Sequence, residues 1–201
     1  MTNGFRDGLQ EKGFRDAYWF ARLTSTSPVP IGPTLIGSGL EGLINAWLAS
    51  PEGRSSGTRL NRADWQLIRD SIEPILLDKL KPYGDPRRFI EGFQNLNRLA
   101  VSEQAERFFG GIGLAIGEVE RHAMKIRNPL AHGALFRRGF VHELYMATSA
   151  YRTLFNRTVL MLLRWNESYI DYSTYKYPSR SLGSPLGGPN GDGRPVLIPR
   201  G

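Results

Sequence analysis

Apolar residues recur every three or four positions along most of the chain, the period of a helix with one buried face. Between Leu9 and Leu23 the spacing shows at Phe14, Tyr18 and Ala21. From Thr34 to Ala49 the stripe is Ile36, Leu40, Leu43, Ile44, Trp47 and Leu48, and Ser50-Pro51 closes it. A third pattern comes after Asn61, at Trp65, Ile68, Ile72, Ile75, Leu76 and Leu80. Asp64 stands three residues after Asn61 as a capping-box variant, and Pro74 falls inside the pattern, where a proline predicts a kink. Asp85-Pro86 predicts the next helix start, with Phe89, Phe93, Leu96 and Ala100 on one side and an end as late as Phe109. Gly110, Gly111 and Gly113 interrupt the pattern before a helix over Leu114 to Arg127. The last and strongest stripe, Phe140, Leu144, Ala147, Tyr151, Leu154, Thr158 and Leu162, predicts a helix over Phe140 to Trp165.

Alternating patterns of the strand type are scarce, and no internal repeat is visible. The expected fold is therefore an all-α bundle with an irregular C-terminal tail. Residues 1–33 read as an N-terminal helix and a Pro/Gly/Ser-rich connection, residues 34–172 as the helical domain, and residues 173–201 as an irregular, partly mobile tail. Four tyrosines, Tyr169, Tyr172, Tyr175 and Tyr177, punctuate the start of that tail. They are expected to pack back onto the bundle. The alternative is that, interleaved with Lys176 and Arg180, they stack on bases. Val196 to Ile198 is a further short apolar stretch that could dock.

Composition narrows the chemistry. The 201 residues carry a net charge of +7, distributed as 0, +2, +1 and +4 over successive quarters. A polyanionic partner such as nucleic acid fits that excess, as does ordinary surface charge. The absence of cysteine removes disulfides, thiolate metal sites and cysteine nucleophiles. The longest clean apolar run, Val159 to Leu163, is too short to span a bilayer, and the N-terminus has no basic-then-apolar leader. A cytoplasmic protein without a membrane partner is expected.

One short stretch carries a chemical signal. Lys125 to Gly133 reads KIRNPLAHG. Much of it is explained by a helix ending: Asn128 precedes Pro129, Arg127 suits the C-terminal dipole, and Gly133 can turn left-handed. His132 has no such explanation. A metal-independent ribonuclease needs a group that moves protons near neutral pH and a cation that grips the phosphate. Histidine and arginine are the side chains suited to those tasks. Five positions of separation across a turn would let both face one cleft.

Arg127-Asn128-Pro129-Leu130-Ala131-His132-Gly133 resembles the signature of the HEPN superfamily of helical domains. That signature is an arginine, an adjacent polar residue, and a histidine after a gap of four to six. The wording is most similar to the ApeA-like and related uncharacterised branches, and Leu40-Glu41 and Tyr169-Ile170-Asp171-Tyr172 add weaker likenesses. The resemblance implies a HEPN-like bundle and a metal-independent endoribonuclease that acts as a homodimer, with no cofactor, in antiviral defence or as a toxin. An antitoxin or sensor subunit is a further implied partner. Carried onto this chain, Arg127 would stabilise phosphate charge, Asn128 would position it, and His132 would assist proton transfer or orient the phosphate. The tyrosine that some toxin members carry two residues after the histidine is replaced here by Ala134. The resemblance leaves a second reading open: a non-catalytic helical module for dimerisation and for nucleic-acid, nucleotide or protein binding.

Nearby residues extend the candidate site. Arg137 and Arg138 could hold RNA backbone or simply form a solvated turn. His122, five positions before Arg127, could line the same cleft or sit on a solvated helix face. Other motifs lead elsewhere. Gly37-Ser38-Gly39-Leu40-Glu41-Gly42 fits a dinucleotide pattern, but Pro28, Pro30 and Pro33 oppose the strand that should precede it. The Gly110–Gly113 run lacks the lysine and hydroxyl of a phosphate loop, so a hinge or close helix approach is expected. His122, His132 and His142 lack the spacing of a helical zinc site, and no metal is expected.

Overall fold

Gly32–Ala49 is the helix the others are built against: Ile36 and Leu43 are fully inaccessible, and Leu40, Ile44 and Trp47 are buried with them. In a computed structural model the chain is described over residues 14–24, 26–27, 31–53, 57–131 and 140–196, with the backbone path alone for 14 and 127–131. Seven α-helices appear among these residues. They are α1 (Phe14–Leu23), α2 (Gly32–Ala49), α3 (Arg62–Leu80), α4 (Arg87–Asn95), α5 (Val101–Ile112), α6 (Glu118–Ala131) and α7 (Phe140–Leu162). A 3-10 turn, Lys81–Tyr83, links α3 to α4. The chain then forms a small antiparallel hairpin of β1 (Ser168–Ile170) and β2 (Ser179–Ser181), with Tyr169 opposite Arg180. The mostly helical architecture agrees with the all-α expectation.

The core is shared by α2, α5, α6 and α7, with α1 lying along α2. Leu144, Ala147, Tyr151, Leu154, Thr158 and Leu162 of α7 are all buried, as the stripe predicts. Phe108 of α5 meets the Trp47 indole edge-on at 5.7 Å, and Phe109 stacks beside Phe108 at 5.3 Å. Gly111 allows this contact, since a β-carbon there would overlap that indole. Gly113 ends α5 in the left-handed conformation, φ 76°. The glycine run is thus a close helix approach followed by a C-cap.

Besides shifts of a few residues at the start of α6 and the end of α7, three features differ from the sequence reading. The predicted helix from Asp85 towards Phe109 is two helices, broken at residues 96–100. The break arises because buried Asn97 is used elsewhere: its side chain exchanges hydrogen bonds with the backbone of Leu60, and its carbonyl accepts from Arg59 N. These bonds staple the strand-like segment at Thr58 to Arg98. Second, α6 does not stop at Asn128 but stays helical through Pro129 to Ala131. The clash that proline imposes on its predecessor is a bias, and here only the last turn has to absorb it. Third, α3 has the predicted Asn61 cap, accepting from Asp64 N at 2.9 Å, and runs unbroken through Pro74, yet none of its residues is buried. It packs on α4 and the 3-10 turn as an arm beside the bundle.

Among the described residues no helix is long and apolar enough to cross a membrane.

Candidate nucleic-acid site

The end of α6 and the start of α7 flank the motif segment. Arg127 and Asn128 have helical backbone in the last turns of α6. His132, Arg137 and Arg138, together with Gly133 and Ala134, lie outside the described residues. Among the candidate residues, His122 is fixed in full. It points into the seam between the two helices, where its Nε2 lies 3.1 Å from Glu143 Oε1. At that distance the pair still does not meet the geometry of a hydrogen bond. Burial pushes the imidazole pKa below its usual value, and Glu143 opposes the shift only in part. His122 is thus half-buried beside Glu143 rather than on a fully solvated helix face. Sequence reasoning misses Glu143, because His142-Glu143 matches no spaced motif.

Farther along the same two helices sits a completely buried ion pair. Arg157 of α7 and Glu120 of α6 are both inaccessible, with Nη1 and Oε1 2.5 Å apart. Burying two charges costs several kcal/mol each unless their remaining polar atoms are bonded. Here most are. Glu120 Oε1 also accepts from Leu186 N, and Oε2 accepts from Gly117 N. Arg157 Nη2 donates to the carbonyls of Ala115 and Leu182. The Tyr169 ring covers the guanidinium at 5.0 Å, and burial pushes its phenol pKa up to about 12. The pair therefore ties residues 182–186 of the tail to the bundle, with Leu182 and Leu186 in the core.

A second polar hub orders the rest of the tail. Asp171 is inaccessible. Its Oδ1 accepts from the amide and hydroxyl of Ser173, and its Oδ2 from the Thr174 hydroxyl and Gly187 N. Arg180 Nε stands 2.9 Å from Oδ2 and supplies the counter-charge. The loop from Tyr172 to Pro178 is closed by Thr174 N to Asp171 O, Tyr177 N to Thr174 O and Asp171 N to Pro178 O. Two consecutive residues in that loop, Lys176 (φ 68°) and Tyr177 (φ 50°), adopt left-handed backbone. For non-glycine residues this is unfavourable and persists only where surrounding bonds enforce it.

Between this loop and α7 lies a cleft of about 480 Å³, within the range of small-molecule sites. Its walls carry Tyr145, Tyr172, Tyr175 and Tyr177, with His142 and Arg152. The expectation that the tail tyrosines pack onto the bundle holds for Tyr169 alone. Tyr172, Tyr175 and Tyr177 are 47%, 78% and 57% exposed, because the Asp171 hub turns the loop outward. Arg152 is anchored by Nη2 on the carbonyl and hydroxyl oxygens of Thr24, both at 3.3 Å. A smaller cavity at the His122–Glu143 seam shares Met146 and Pro189 with the cleft, so the two adjoin. Among the described residues no cluster of three histidine, aspartate or glutamate side chains could hold a metal ion.

No protein-family model matches the chain, and no curated protein or solved structure resembles it significantly.

Proposed function

We propose that this chain is a metal-independent endoribonuclease of the HEPN type, acting as a homodimer in antiviral defence or as a toxin. The observation that carries the reading is the Arg127-Asn128-x3-His132 sequence, whose first two residues lie in the last turns of α6, in a mostly helical chain. In the proposed reaction the 2′-oxygen of a ribose attacks the adjacent phosphorus and its proton is removed. The bond to the 5′-oxygen breaks, that oxygen takes a proton, and a cyclic phosphate end remains. His132 serves the proton transfer, Arg127 balances charge that builds on the non-bridging oxygens, and Asn128 orients the group. Arg137 and Arg138 hold neighbouring phosphates. The net charge of +7 supports a polyanionic substrate.

The test is cleavage of a labelled single-stranded RNA by purified protein in excess EDTA. Cleavage lost in both Arg127→Ala and His132→Ala, with unchanged circular dichroism and melting temperature, supports the reading. RNA left intact by the wild type under all conditions, or cleavage that survives both substitutions, contradicts it. Replacing Arg137 and Arg138 should weaken binding and flatten its salt dependence without changing where the strand is cut.

A further inference from the structure

We propose that the cleft between α7 and the Tyr172–Pro178 loop is the track for single-stranded RNA, its bases stacking on Tyr172, Tyr175 and Tyr177. This deepens the ribonuclease reading, and it rests on that reading for the identity of the strand as a substrate.

Three features of the cleft converge on it. The first is the exposure of its aromatics. Tyr145, Tyr172, Tyr175 and Tyr177 are all about half exposed or more, although burial of an aromatic ring is among the most favourable contributions to folding. They gather on one cleft rather than scattering over the surface. The second is that the loop is rigidly built to present them. Asp171 uses both carboxylate oxygens to hold it, and the left-handed backbone of Lys176 and Tyr177 is enforced there. A loop whose only role was to close the chain would need neither device. Tyr172 and Tyr177 stand with ring centroids 5.5 Å apart at 51°, so the two rings support one another.

The third feature is charge. Arg152 lines the same cleft, so a guanidinium lies on the wall that carries Tyr145, and Lys176 belongs to the loop that forms the opposite wall. Ring faces together with a cation fit a chain that carries both bases and phosphates. A paired duplex hides its base faces, so the chemistry selects an unpaired strand. Position agrees with this: His142 lies in the first turn of α7, directly after the segment that carries His132, Arg137 and Arg138.

The test uses the full chain and a fluorescent 2′-O-methyl oligoribonucleotide, which lacks the attacking hydroxyl and stays intact. Anisotropy in EDTA should show binding that weakens about tenfold for each of Tyr172→Ala, Tyr175→Ala and Tyr177→Ala, while the matching Phe variants retain most of the affinity. A duplex of the same sequence and free AMP should bind far more weakly. Alanine variants that bind like wild type, or AMP binding as tightly as the strand, would overturn the proposal, the latter in favour of a nucleotide pocket. No binding at all would overturn it too. The two readings fail separately. Tyrosine-dependent binding of a strand that is never cut keeps the cleft as an RNA site and sinks the nuclease. Cutting that needs His132 but ignores all three tyrosines keeps the nuclease and sinks the track.

Discussion

The α3–α4 arm and the C-terminal tail reverse what their sequences lead one to expect. The arm has a regular apolar stripe, a correctly placed Asn61 cap and the 19-residue α3, yet no residue of that helix is buried and Leu67 and Ile75 are largely exposed. The tail is rich in glycine, proline and serine and forms only two three-residue strands. It nevertheless inserts Leu182 and Leu186 into the core and wraps two inaccessible carboxylates. Periodicity predicts that a helix forms; it does not predict what that helix packs against. Order in the tail comes instead from polar groups whose hydrogen bonds can all be met in one arrangement.

The comparison can be broken most forcefully at Arg157. Arg157→Ala strands the Glu120 carboxylate in the interior and should cost about 3–5 kcal/mol in chemical denaturation. Asp171→Asn comes next. It points an amide donor at the Thr174 hydroxyl and Gly187 N, leaving buried donors unmatched, and should cost about 1–3 kcal/mol. Its signature is local: the amides of Leu186 and Gly187 should exchange faster while those of α2 stay protected. The arm should tolerate change. Ile75→Ser should move stability by no more than about 0.5 kcal/mol. A large loss there would mean that this face is covered in solution.

The His122 seam makes stability depend on pH. Its folded-state pKa lies below the ordinary 6.5, so below that pH the unfolded chain binds more protons than the folded one. The stability from the neutral imidazole is complete above pH 6.5 and is lost as pH falls from there through the lower folded value. His122→Gln should flatten the melting-temperature profile between pH 7 and 5.

Much of the bundle is legible in the sequence. The stripes of α2 and α7 form core, the Asn61 cap is made, and the Gly110–Gly113 run marks a close approach. The differences share a cause: long-range partners that local pattern does not encode. Asn97 breaks a continuous helical pattern because it binds Leu60, 37 positions away. Glu120 and Arg157, also 37 apart, look like surface charges on amphipathic helices until their partner is seen. Asp171 does leave a trace. An aspartate followed two and three residues later by Ser173 and Thr174 is a local capping pattern, and it marks the hub that turns three tyrosines outward. Of the candidate site, the α6 position of Arg127 and Asn128 and the sequestration of His122 come from the fold.

The most direct measurement is the chemistry of the cut ends. A defined oligoribonucleotide incubated with the protein in EDTA and weighed by mass spectrometry should yield fragments with a cyclic phosphate, one water lighter than a linear phosphate end. A single 2′-O-methyl group at the cut position should abolish that cut. Fragments ending in a free 3′-hydroxyl, cleavage through the methylated position, or an oligonucleotide that emerges whole would contradict the assignment of Arg127 and His132 to ribose-assisted phosphoryl transfer.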